Sequence, residues 1–268
     1  MVIGMMTELS SALDSLRDLG NKQVSILFSE QSTTVLFRCL LGKENELLIE
    51  LNQSSASDVL QLIAPKGRDF HSISIVSASP QVTFIPDGLF DETKTDLYLN
   101  SVFGAQRSRT SLVGHISSLS LHYVFGIDTT LNDAIEQSFP QARVMHLCEA
   151  LLIEAWAGQD HSDNVIFRLH KEEDSLFILV LQGKEVKLLT HHRIGDATDV
   201  VYHSLNTIHA QGLDHDRATI QCSGSLSSEY EGFELLKSYC PNCSYKPAEF
   251  PAAQAPHQFI LASQHYCE

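Results

Sequence analysis

Three short apolar runs, separated by polar turns, follow one another near the start of the chain. They are VSILFS, TTVLFRCLL and ELLIELN, and the turns between them are EQS and GKEN. Runs of this length and composition, divided by short turns, are typical of antiparallel strands joined as a meander. A helix, SASDVLQLIA, and a buried strand, ISIVSAS, follow, so the pattern predicts strand–strand–strand–helix–strand.

The same order of elements occurs again in the second half of the chain. NVIFRLH, SLFILVLQ and EVKLLTHHRI predict three strands, DATDVVYHSLNTIHAQG predicts a helix, and ATIQCSGS predicts a strand. Five elements that recur in one order at a nearly constant spacing indicate an internal duplication. The segments that align are Ala56–Val59 with Ala197–Val200, Val24 with Val165, and Ser77–Ser79 with Ser223–Ser225.

The segment between the two copies predicts further elements. PDGLFDETKTDLYLNSVFG favours a helix that begins at Pro86 and Asp87. A polar loop, the strand LSLHYVFGID, the helix TLNDAIEQSF, the strand ARVMHL and the helix CEALLIEAWAG follow. Three strands, a helix, a strand and a helix form the ribonuclease H-like unit. Two such units in tandem make an α/β fold, the actin-like ATPase architecture.

The predicted organisation has three parts. Residues 1–20 form an N-terminal amphipathic helix, with Leu9, Leu13 and Leu16 on one face and Gly20 as its C-cap. Residues 21–155 form the first ribonuclease H-like lobe and residues 156–268 the second. In this architecture a nucleotide normally binds in the cleft between the lobes, but the element order alone assigns no function.

Charge and length narrow the classes of partner. The chain has 268 residues and a net charge of −15, from 18 Lys and Arg against 33 Asp and Glu. A surface this acidic repels phosphate backbones and anionic membranes, so we expect no nucleic-acid partner. No apolar run approaches the roughly 18–20 residues that span a bilayer, and the N-terminus lacks the pattern of a signal peptide. We therefore expect a cytoplasmic protein whose six cysteines are reduced thiols.

Several stretches carry a family resemblance. VTFIPDGLFDE (Val82–Glu92), the segment His122–Ala155, the second meander and the closing PHQFILASQHYCE resemble the domain-of-unknown-function family 3822 of Bacteroidota. The resemblance extends from about Asn21 to the end of the chain, and it implies an actin-like ATPase fold with no assigned activity. The middle segment, a strand ending in GID and then helix, strand and helix, is also similar to pilus-assembly and cell-division actin-like proteins. Those proteins are scaffold and assembly proteins rather than metabolic enzymes.

The turns that hold phosphates in active members of the fold are altered here. The usual pattern in each half is Asp-x-Gly-(Ser/Thr), whose backbone N–H groups cradle phosphates while the Asp positions a metal. The first turn, FSEQSTT, has neither Asp nor Gly, and the second, RLHKEEDSLF, has no Gly and three acids at its tip. The paired glycines of the adenosine motif are reduced to Gly224 in CSGSLS. The sequence therefore predicts no cofactor and no catalysis, but a degenerate actin-like scaffold that binds an unknown protein partner.

Two alternatives remain open. In the first, the chain is a nucleotide-binding switch or ATPase whose cleft holds ATP through substitute residues, namely Ser29, Ser32, Gly224 and Ser225. In the second, Cys240-Pro-Asn-Cys243 binds zinc or exchanges disulfides. A thioredoxin-like pair follows a strand and opens a helix, whereas this pair follows a helix and opens a strand. Structural zinc needs four ligands, and only Cys267 and His265 remain in the tail, so we interpret the pair as a turn.

Histidines and the other cysteines carry weaker signals. His191 and His192 are adjacent on a predicted strand, so their side chains point to opposite faces and cannot easily share a metal. His115 and His122 flank a strand without a nucleophile, and LDHDR reads as a polar loop. Cys39, Cys148 and Cys222 lie in apolar surroundings, where a thiol packs as a small hydrophobic group.

Overall fold

The chain folds into two compact units, Met1–Glu149 and Ala150–Glu268. The computed structural model describes residues 2–16, 21–39, 47–52, 55–157, 164–183, 185–247 and 260–261. The division between the units falls inside a helix, Leu147–Ala157, whereas the sequence placed the boundary after Ala155.

The first unit contains one five-stranded and one three-stranded sheet. Its elements, in chain order, are α1 (Val2–Ser15), β1 (Lys22–Phe28), β2 (Ser32–Cys39), β3 (Leu47–Asn52), α2 (Ala56–Ile63), β4 (Ser72–Ser77), β5 (Val82–Pro86), α3 (Thr95–Phe103), β6 (Arg109–Ile116), β7 (Leu121–Asp128), α4 (Thr129–Ser138) and β8 (Arg143–His146). Helix α5 (Leu147–Ala157) begins in this unit and ends in the second. Short 3₁₀ turns lie at Ala64–Asp69, Asp87–Leu89, Glu92–Lys94 and Ser117–Leu119.

The larger sheet has the order β3-β2-β1-β4-β8. Strands β1, β2 and β3 are antiparallel to one another, and β4 and β8 continue the sheet in parallel to β1. Every residue of β1 is buried, because this strand lies at the centre of the sheet. Burial on both faces explains why apolar residues are not confined to alternate positions of this strand, as Ile26–Phe28 shows. The predicted meander, α2 and β4 are confirmed.

Helix α1 packs on the first unit. Leu9 and Leu13 are buried, as the predicted apolar face requires. Lys66 Nζ fixes the end of the helix, since it donates to Leu13 O at 2.7 Å and to Asp14 Oδ1 at 2.9 Å. The predicted C-cap, Gly20, lies outside the described residues.

Residues 82–128, here called the insert, lie between β4 and α4. They form the three-stranded antiparallel sheet of order β5-β7-β6, on which α3 packs. A small core of Ile85, Leu99 and Val124 holds the insert together. The sequence prediction differs from the structure at three points here. Strand β5 was not predicted, two 3₁₀ turns precede α3, which begins only at Thr95, and the predicted polar loop contains strand β6.

The second unit repeats the order of the large sheet. Its elements are β9 (Val165–Glu172), β10 (Ser175–Gln182), β11 (Glu185–Arg193), α6 (Ala197–Ala210), β12 (Thr219–Gly224), α7 (Glu231–Tyr239) and β13 (Cys243–Tyr245). The strand order is β11-β10-β9-β12-β13, with β9, β12 and β13 parallel. This arrangement matches β3-β2-β1-β4-β8, so two ribonuclease H-like units follow one another in the chain.

The strand alignment between the units differs from the sequence alignment. In the first unit Ser29 N–H closes the β1–β2 turn on Ser32 O, and Glu172 pairs with Ser175 at the matching turn. Phe28 therefore corresponds to Lys171, and Val24 to Phe167 rather than Val165. A shift of two residues leaves the same side chains on each face of a strand, so apolar periodicity could not detect it.

The described helices include none that could reach across a bilayer: none combines the required length with the required apolar character.

Candidate functional site

The β1–β2 turn of the first unit carries two of the predicted site residues, Ser29 and Ser32. Ser29 N–H donates to Ser32 O at 3.0 Å, so this N–H is used inside the turn itself. Ser32 is 7% exposed at the start of β2. The turn follows the carboxyl end of β1, which is the edge where ligands bind in open α/β sheets.

A pocket of about 330 Å³ lies beside this turn in the first unit, near the ends of β1, β4 and β7. Ser29 lines it, while Ser32 is not among its lining residues. The polar side chains that matter most for its chemistry are those of Ser29, Glu30, Ser79, Gln81, Arg109 and Asp128. Its volume is at the lower end of the roughly 300–1,000 Å³ typical of small-molecule sites.

The charges around this pocket are mixed. Arg109 donates from Nη1 to Gln81 Oε1 at 3.1 Å and from Nη2 to Asn100 Oδ1 at 2.5 Å. A Cβ on Gly126 would lie 2.4 Å from Arg109 Cδ, so this glycine leaves room for the arginine side chain. Glu30 and Asp128 supply two carboxylates against this one guanidinium among the lining residues.

Asp128 occupies the N-terminus of α4. Its Oδ1 accepts from the N–H groups of Thr130 at 2.9 Å and Leu131 at 3.3 Å, and from the Thr130 hydroxyl. Hydrogen bonds from the Thr130 hydroxyl and then from these amides lower the pKa of Asp128. A helix N-terminus attracts anions. Here an ionised carboxylate of the chain already takes that position.

In the second unit, the matching region is the end of β9, where hydrogen bonds of Lys171 close the turn. Its carbonyl oxygen accepts from Ser225 N–H at 2.9 Å and from Ser225 Oγ at 3.1 Å. Its ammonium donates to Glu173 O at 2.5 Å and to Ser225 Oγ at 3.3 Å. Burial lowers the pKa of Lys171, and the acids Asp174, Glu172 and Glu173 oppose this shift.

Gly224 permits this closure. Its φ is +69°, a left-handed conformation that glycine adopts without strain. A Cβ at this position would lie 2.3 Å from Lys171 O and 2.7 Å from His170 Cε1. Gly224 and Ser225, the predicted site residues of this unit, therefore both serve the closed turn.

A buried polar network lies beneath the second turn. His170 Nδ1 lies 3.0 Å from Ser223 Oγ, and His170 Nε2 lies 3.7 Å from Glu172 Oε2. The residue types resemble a hydrolytic acid–histidine–serine set. However, His170 and Glu172 are each 1% exposed and Ser223 is 7% exposed. A substrate has no access to groups buried to this extent.

The four residues predicted to bind a nucleotide lie in two different units. Ser29 and Ser32 lie in the first unit, and Gly224 and Ser225 lie in the second. Their joint role in holding a nucleotide stays a prediction. The two adjacent histidines behave as predicted. His191 Nε2 lies 3.0 Å from Ser175 Oγ, whereas the His192 ring stacks on His203.

The CPNC cysteines pack into the core of the second unit, with Cys240 fully buried and Cys243 7% exposed. Cys243 Sγ lies 3.5 Å from Cys222 Sγ on β12, so this thiol contact is with a residue outside the motif. The hydrogen bond from Cys222 lowers the pKa of Cys243, while that bond and burial raise the pKa of Cys222. Zinc or redox chemistry in the motif is therefore not favoured. Cys148 and Cys222 are buried as predicted, and Cys267 lies outside the described residues.

One polar cluster, Asp87, His115 and His122 in the insert, was missed by the sequence analysis. Within the part of the chain that the structure describes, it is the one group of three metal-ligating side chains with mutually close ligand atoms. The signal was the hairpin spacing, because His115 and His122 pair directly across β6 and β7. Recognition of that pair required strand β6, which the sequence reading took for a loop.

The chain belongs to the family described as Protein of unknown function (DUF3822), whose model matches residues 22–243. The family predicted from the sequence is thus confirmed. No curated protein matches the chain significantly.

Solved structures with similar folds cover almost all of the chain. A protein of unknown function with an actin-like ATPase fold, from Bacteroides thetaiotaomicron VPI-5482, has 15% identity and a TM-score of 0.77. The match covers 93% of this chain and 99% of that one. The PilM-PilN type IV pilus biogenesis complex has 11% identity and a TM-score of 0.51, with coverage of 92% and 98%.

A third similar structure is the cytoplasmic domain of EpsL, an inner-membrane component of the type II secretion system of Vibrio cholerae. It has 12% identity, coverage of 92% and 94%, and a TM-score of 0.46, which is too low to carry an argument. At identities this low, likeness shows the fold alone. The fold predicted from the sequence, an actin-like ATPase fold of two ribonuclease H-like units, is confirmed.

Proposed function

We propose that this protein is a non-catalytic member of the actin-like fold that binds another protein and does not hydrolyse ATP. The observation that carries the proposal is the closed turn of the second unit. There the Ser225 N–H continues the strand ladder to Lys171 O, as Ala78 N–H does to Phe28 O in the first unit, and the Ser225 hydroxyl adds a second bond to the same carbonyl oxygen. A nucleotide phosphate needs such donors to point outward, and here they are committed to the chain.

Charge supports the same conclusion. The second turn has acids at Glu172, Glu173 and Asp174, and the pocket of the first unit has Glu30 and Asp128. The N-terminus of α6 resembles that of α4, because Asp196 Oδ1 accepts from Thr198 N–H at 2.7 Å and Asp199 N–H at 3.1 Å. A phosphate at any of these places would lie close to a carboxylate, and like charges repel.

The insert supports the choice of a protein partner. Four of the six large hydrophobic side chains that are exposed among the described residues belong to it, namely Leu89, Leu97, Val102 and Val113. Leu89 is 72% exposed and Leu97 and Val102 are each 59% exposed. Exposed apolar side chains that lie together as one patch mark interaction surfaces, and four such side chains belong to this one subdomain. The PilM-PilN complex gives one case in which a protein of similar fold is bound to a protein partner.

Calorimetric titration with Mg-ATP, together with a phosphate-release assay, tests the absence of nucleotide chemistry. We expect no saturable heat at millimolar nucleotide and no release of phosphate above the buffer rate. Micromolar binding, equivalent to about −8 kcal/mol, with measurable turnover would contradict the proposal.

Paired surface variants test the role of the insert. We expect the double variant Leu97→Lys/Val102→Lys to lose the proteins that co-purify with the wild type from its native cells. Tyr202→Lys is the matched control, because Tyr202 is 63% exposed in the second unit. Equal loss of the same proteins in both variants would show that the insert is not the binding surface.

A second candidate function is a nucleotide-binding switch that uses Ser29, Ser32, Gly224 and Ser225. The pocket of about 330 Å³ beside Ser29 favours it, because this pocket contains a guanidinium. This candidate predicts saturable Mg-ATP binding without turnover in the same titration. It also predicts weaker binding by Ser29→Ala, with Ser228→Ala in the second unit as the control.

A further inference from the structure

We propose that Asp87, His115 and His122 form a binding site for a divalent transition-metal ion, with zinc as the ion of reference. The site lies at one end of the sheet of the insert. Its three residues are distant in sequence from the β1–β2 turn and from the turn that Lys171 closes. It is independent of the proposed function, since it requires neither a protein partner nor the absence of nucleotide.

The fold brings the three side chains together from three neighbouring strands. His115 on β6 and His122 on β7 are direct cross-strand partners. Asp87 follows β5, in which Ile85 pairs with His122. Asp87 N–H donates to Ser120 O at 3.1 Å, which fixes the start of the 3₁₀ turn against the β6–β7 connection. Two of the ligands are therefore held by paired strands and the third by a backbone hydrogen bond.

The two carboxylate–imidazole distances suit a small metal ion, and all three candidate ligand atoms lie within 4.8 Å of one another. Asp87 Oδ1 lies 3.0 Å from His122 Nδ1 and 3.2 Å from His115 Nε2. At metal–ligand bonds of about 2.0–2.2 Å, neighbouring ligand atoms lie about 3.0–3.5 Å apart in tetrahedral or octahedral coordination. The carboxylate thus stands at a suitable separation from each imidazole nitrogen.

The contacts of the imidazole nitrogens of His115 and His122 are also compatible with a bound cation. His122 Nδ1 is buried, and it has no hydrogen-bond partner among the described residues although Asp87 Oδ1 is near. On the other ring, His115 Nε2 lies 3.3 Å from Asp87 Oδ2, and His115 Nδ1 lies 3.3 Å from Ser117 Oγ. When His115 Nδ1–H donates to this hydroxyl, its Nε2 lone pair faces the Asp87 carboxylate. A metal ion satisfies both nitrogen lone pairs and the carboxylate together.

Packing orients one of the two rings in advance. The Phe90 ring stacks on His122 at a centroid distance of 3.9 Å and an interplanar angle of 5°. His115 stacks on the other histidine at 4.3 Å and 22°. A metal ion must lie close to the plane of each imidazole ring that binds it. We therefore expect the more exposed ring, that of His115, to tilt out of this stack on binding.

The ligand types select the class of metal. Two imidazoles and one carboxylate suit zinc, copper, nickel or cobalt, whereas magnesium and calcium prefer all-oxygen sites. The side chains of His115 and Asp87 are 41% and 40% exposed. The remaining coordination positions therefore face water, as in sites with three protein ligands and an open position.

Titration of the metal-free full chain with zinc chloride tests this proposal. We expect one zinc ion per chain at this site, with binding weakened at least tenfold in Asp87→Asn and in His115→Gln. His215→Gln is the matched control, because His215 is also exposed and lies 3.3 Å from a carboxylate, that of Asp216, in the second unit. This control should bind zinc as the wild type does, and magnesium chloride should give no binding.

Two further measurements make the outcome decisive. Cobalt binding should give a spectrum without thiolate charge transfer, and histidine nitrogen resonances of His115 and His122 should shift on zinc addition. Near-ultraviolet circular dichroism of the metal-free variants should match the wild type. Equal zinc affinity of the wild type, Asp87→Asn and His115→Gln would overturn the proposal, as would thiolate ligation of the cobalt ion at the tight site.

Discussion

The two ribonuclease H-like units share one strand order but differ at the ends of their central strands. In the first unit, a pocket lies where β1, β4 and β7 end, and the insert follows β4. In the second unit, the matching turn is closed by Lys171, which bonds to Glu173 O and Ser225. The sheet sets the positions of the turns in both units, while a few turn residues decide whether a turn can hold a ligand.

The clearest contrast is between Ser77 and Gly224. Each pairs with the last residue before the turn, Ser77 with Phe28 and Gly224 with Lys171. The next N–H continues the ladder in both units, at 2.9 Å to Phe28 O and at 2.9 Å to Lys171 O. Only in the second unit is φ positive at this position. With this backbone conformation the Ser225 hydroxyl also donates to Lys171 O.

The largest expected effect is that of Gly224→Ala on the second unit. The new Cβ would lie 2.3 Å from Lys171 O, a backbone atom that cannot move without loss of the Ser225 hydrogen bonds. Left-handed strain and this clash together should lower the free energy of unfolding by about 3 kcal/mol or more. Chemical denaturation measured by circular dichroism gives the value.

Gly212→Ala separates the effect of left-handed backbone strain from the effect of a steric clash at the new Cβ. Gly212 has a φ of +71° with nothing within 4 Å of its Cβ position, so only the strain of about 1 kcal/mol should appear. Equal losses in the two variants would mean that the closed turn does not resist a side chain at position 224.

The next effect concerns the insert, which the second unit lacks. Leu99 is fully buried in its small core, and Leu99→Ala should cost about 2–4 kcal/mol because the cavity cannot close. Leu97→Ala, two residues away on α3, should change stability by less than about 0.5 kcal/mol, because its side chain is 59% exposed. Proteolysis of the two variants under native conditions measures the difference. Equal cleavage rates in the insert would show that this core does not hold it together.

The smallest expected effect is a pH dependence specific to the second unit. Burial, and then repulsion from His192 and Arg193, lower the pKa of His191 from 6.5 to about 4. Below pH 6.5 the unfolded chain takes up a proton that the folded chain takes up only near pH 4. The free energy of unfolding should therefore fall by about 1–2 kcal/mol between these values, allowing for the partial exposure of the ring.

Substitution of one histidine in each unit tests this pH dependence. His191→Gln should reduce the decline between pH 6.5 and 4, to which His192 also contributes because burial lowers its pKa too. His71→Gln, at an exposed position in the first unit, should leave the decline unchanged. A decline that persists in His191→Gln with its full amplitude would assign the acid sensitivity to other groups.

The sequence predicted the strands in which apolar residues are clustered. Strands β1, β2, β9 and β10 are of this kind, and each was placed to within a few residues. Strand β6 was missed because it is only partly buried and has Arg109, Thr110, Ser111 and His115 among its eight residues. A strand at the edge of a small sheet needs few apolar side chains, so its composition resembles that of a loop.

The site was less predictable than the fold. Gly224 was recognised as half of a motif, but its contact with Lys171 joins residues that are far apart in sequence. The Asp87 cluster likewise depends on three strands whose register only tertiary pairing defines. The sequence shows that the turns lack the Asp and Gly residues of the usual phosphate-binding pattern. Only the structure shows that the N–H groups at these turns donate to carbonyl oxygens of the chain itself.

The backbone amides of Ser29, Ala78 and Ser225 give the most direct test of the proposal that the chain's own carbonyl oxygens occupy the N–H donors at these turns. Their nitrogen and proton chemical shifts can be followed by NMR during addition of Mg-ATP to millimolar concentration. We expect all three resonances to stay unchanged, because each N–H already donates to a backbone carbonyl. Saturable shifts of the Ser29 and Ser225 amides together, at micromolar nucleotide, would contradict it.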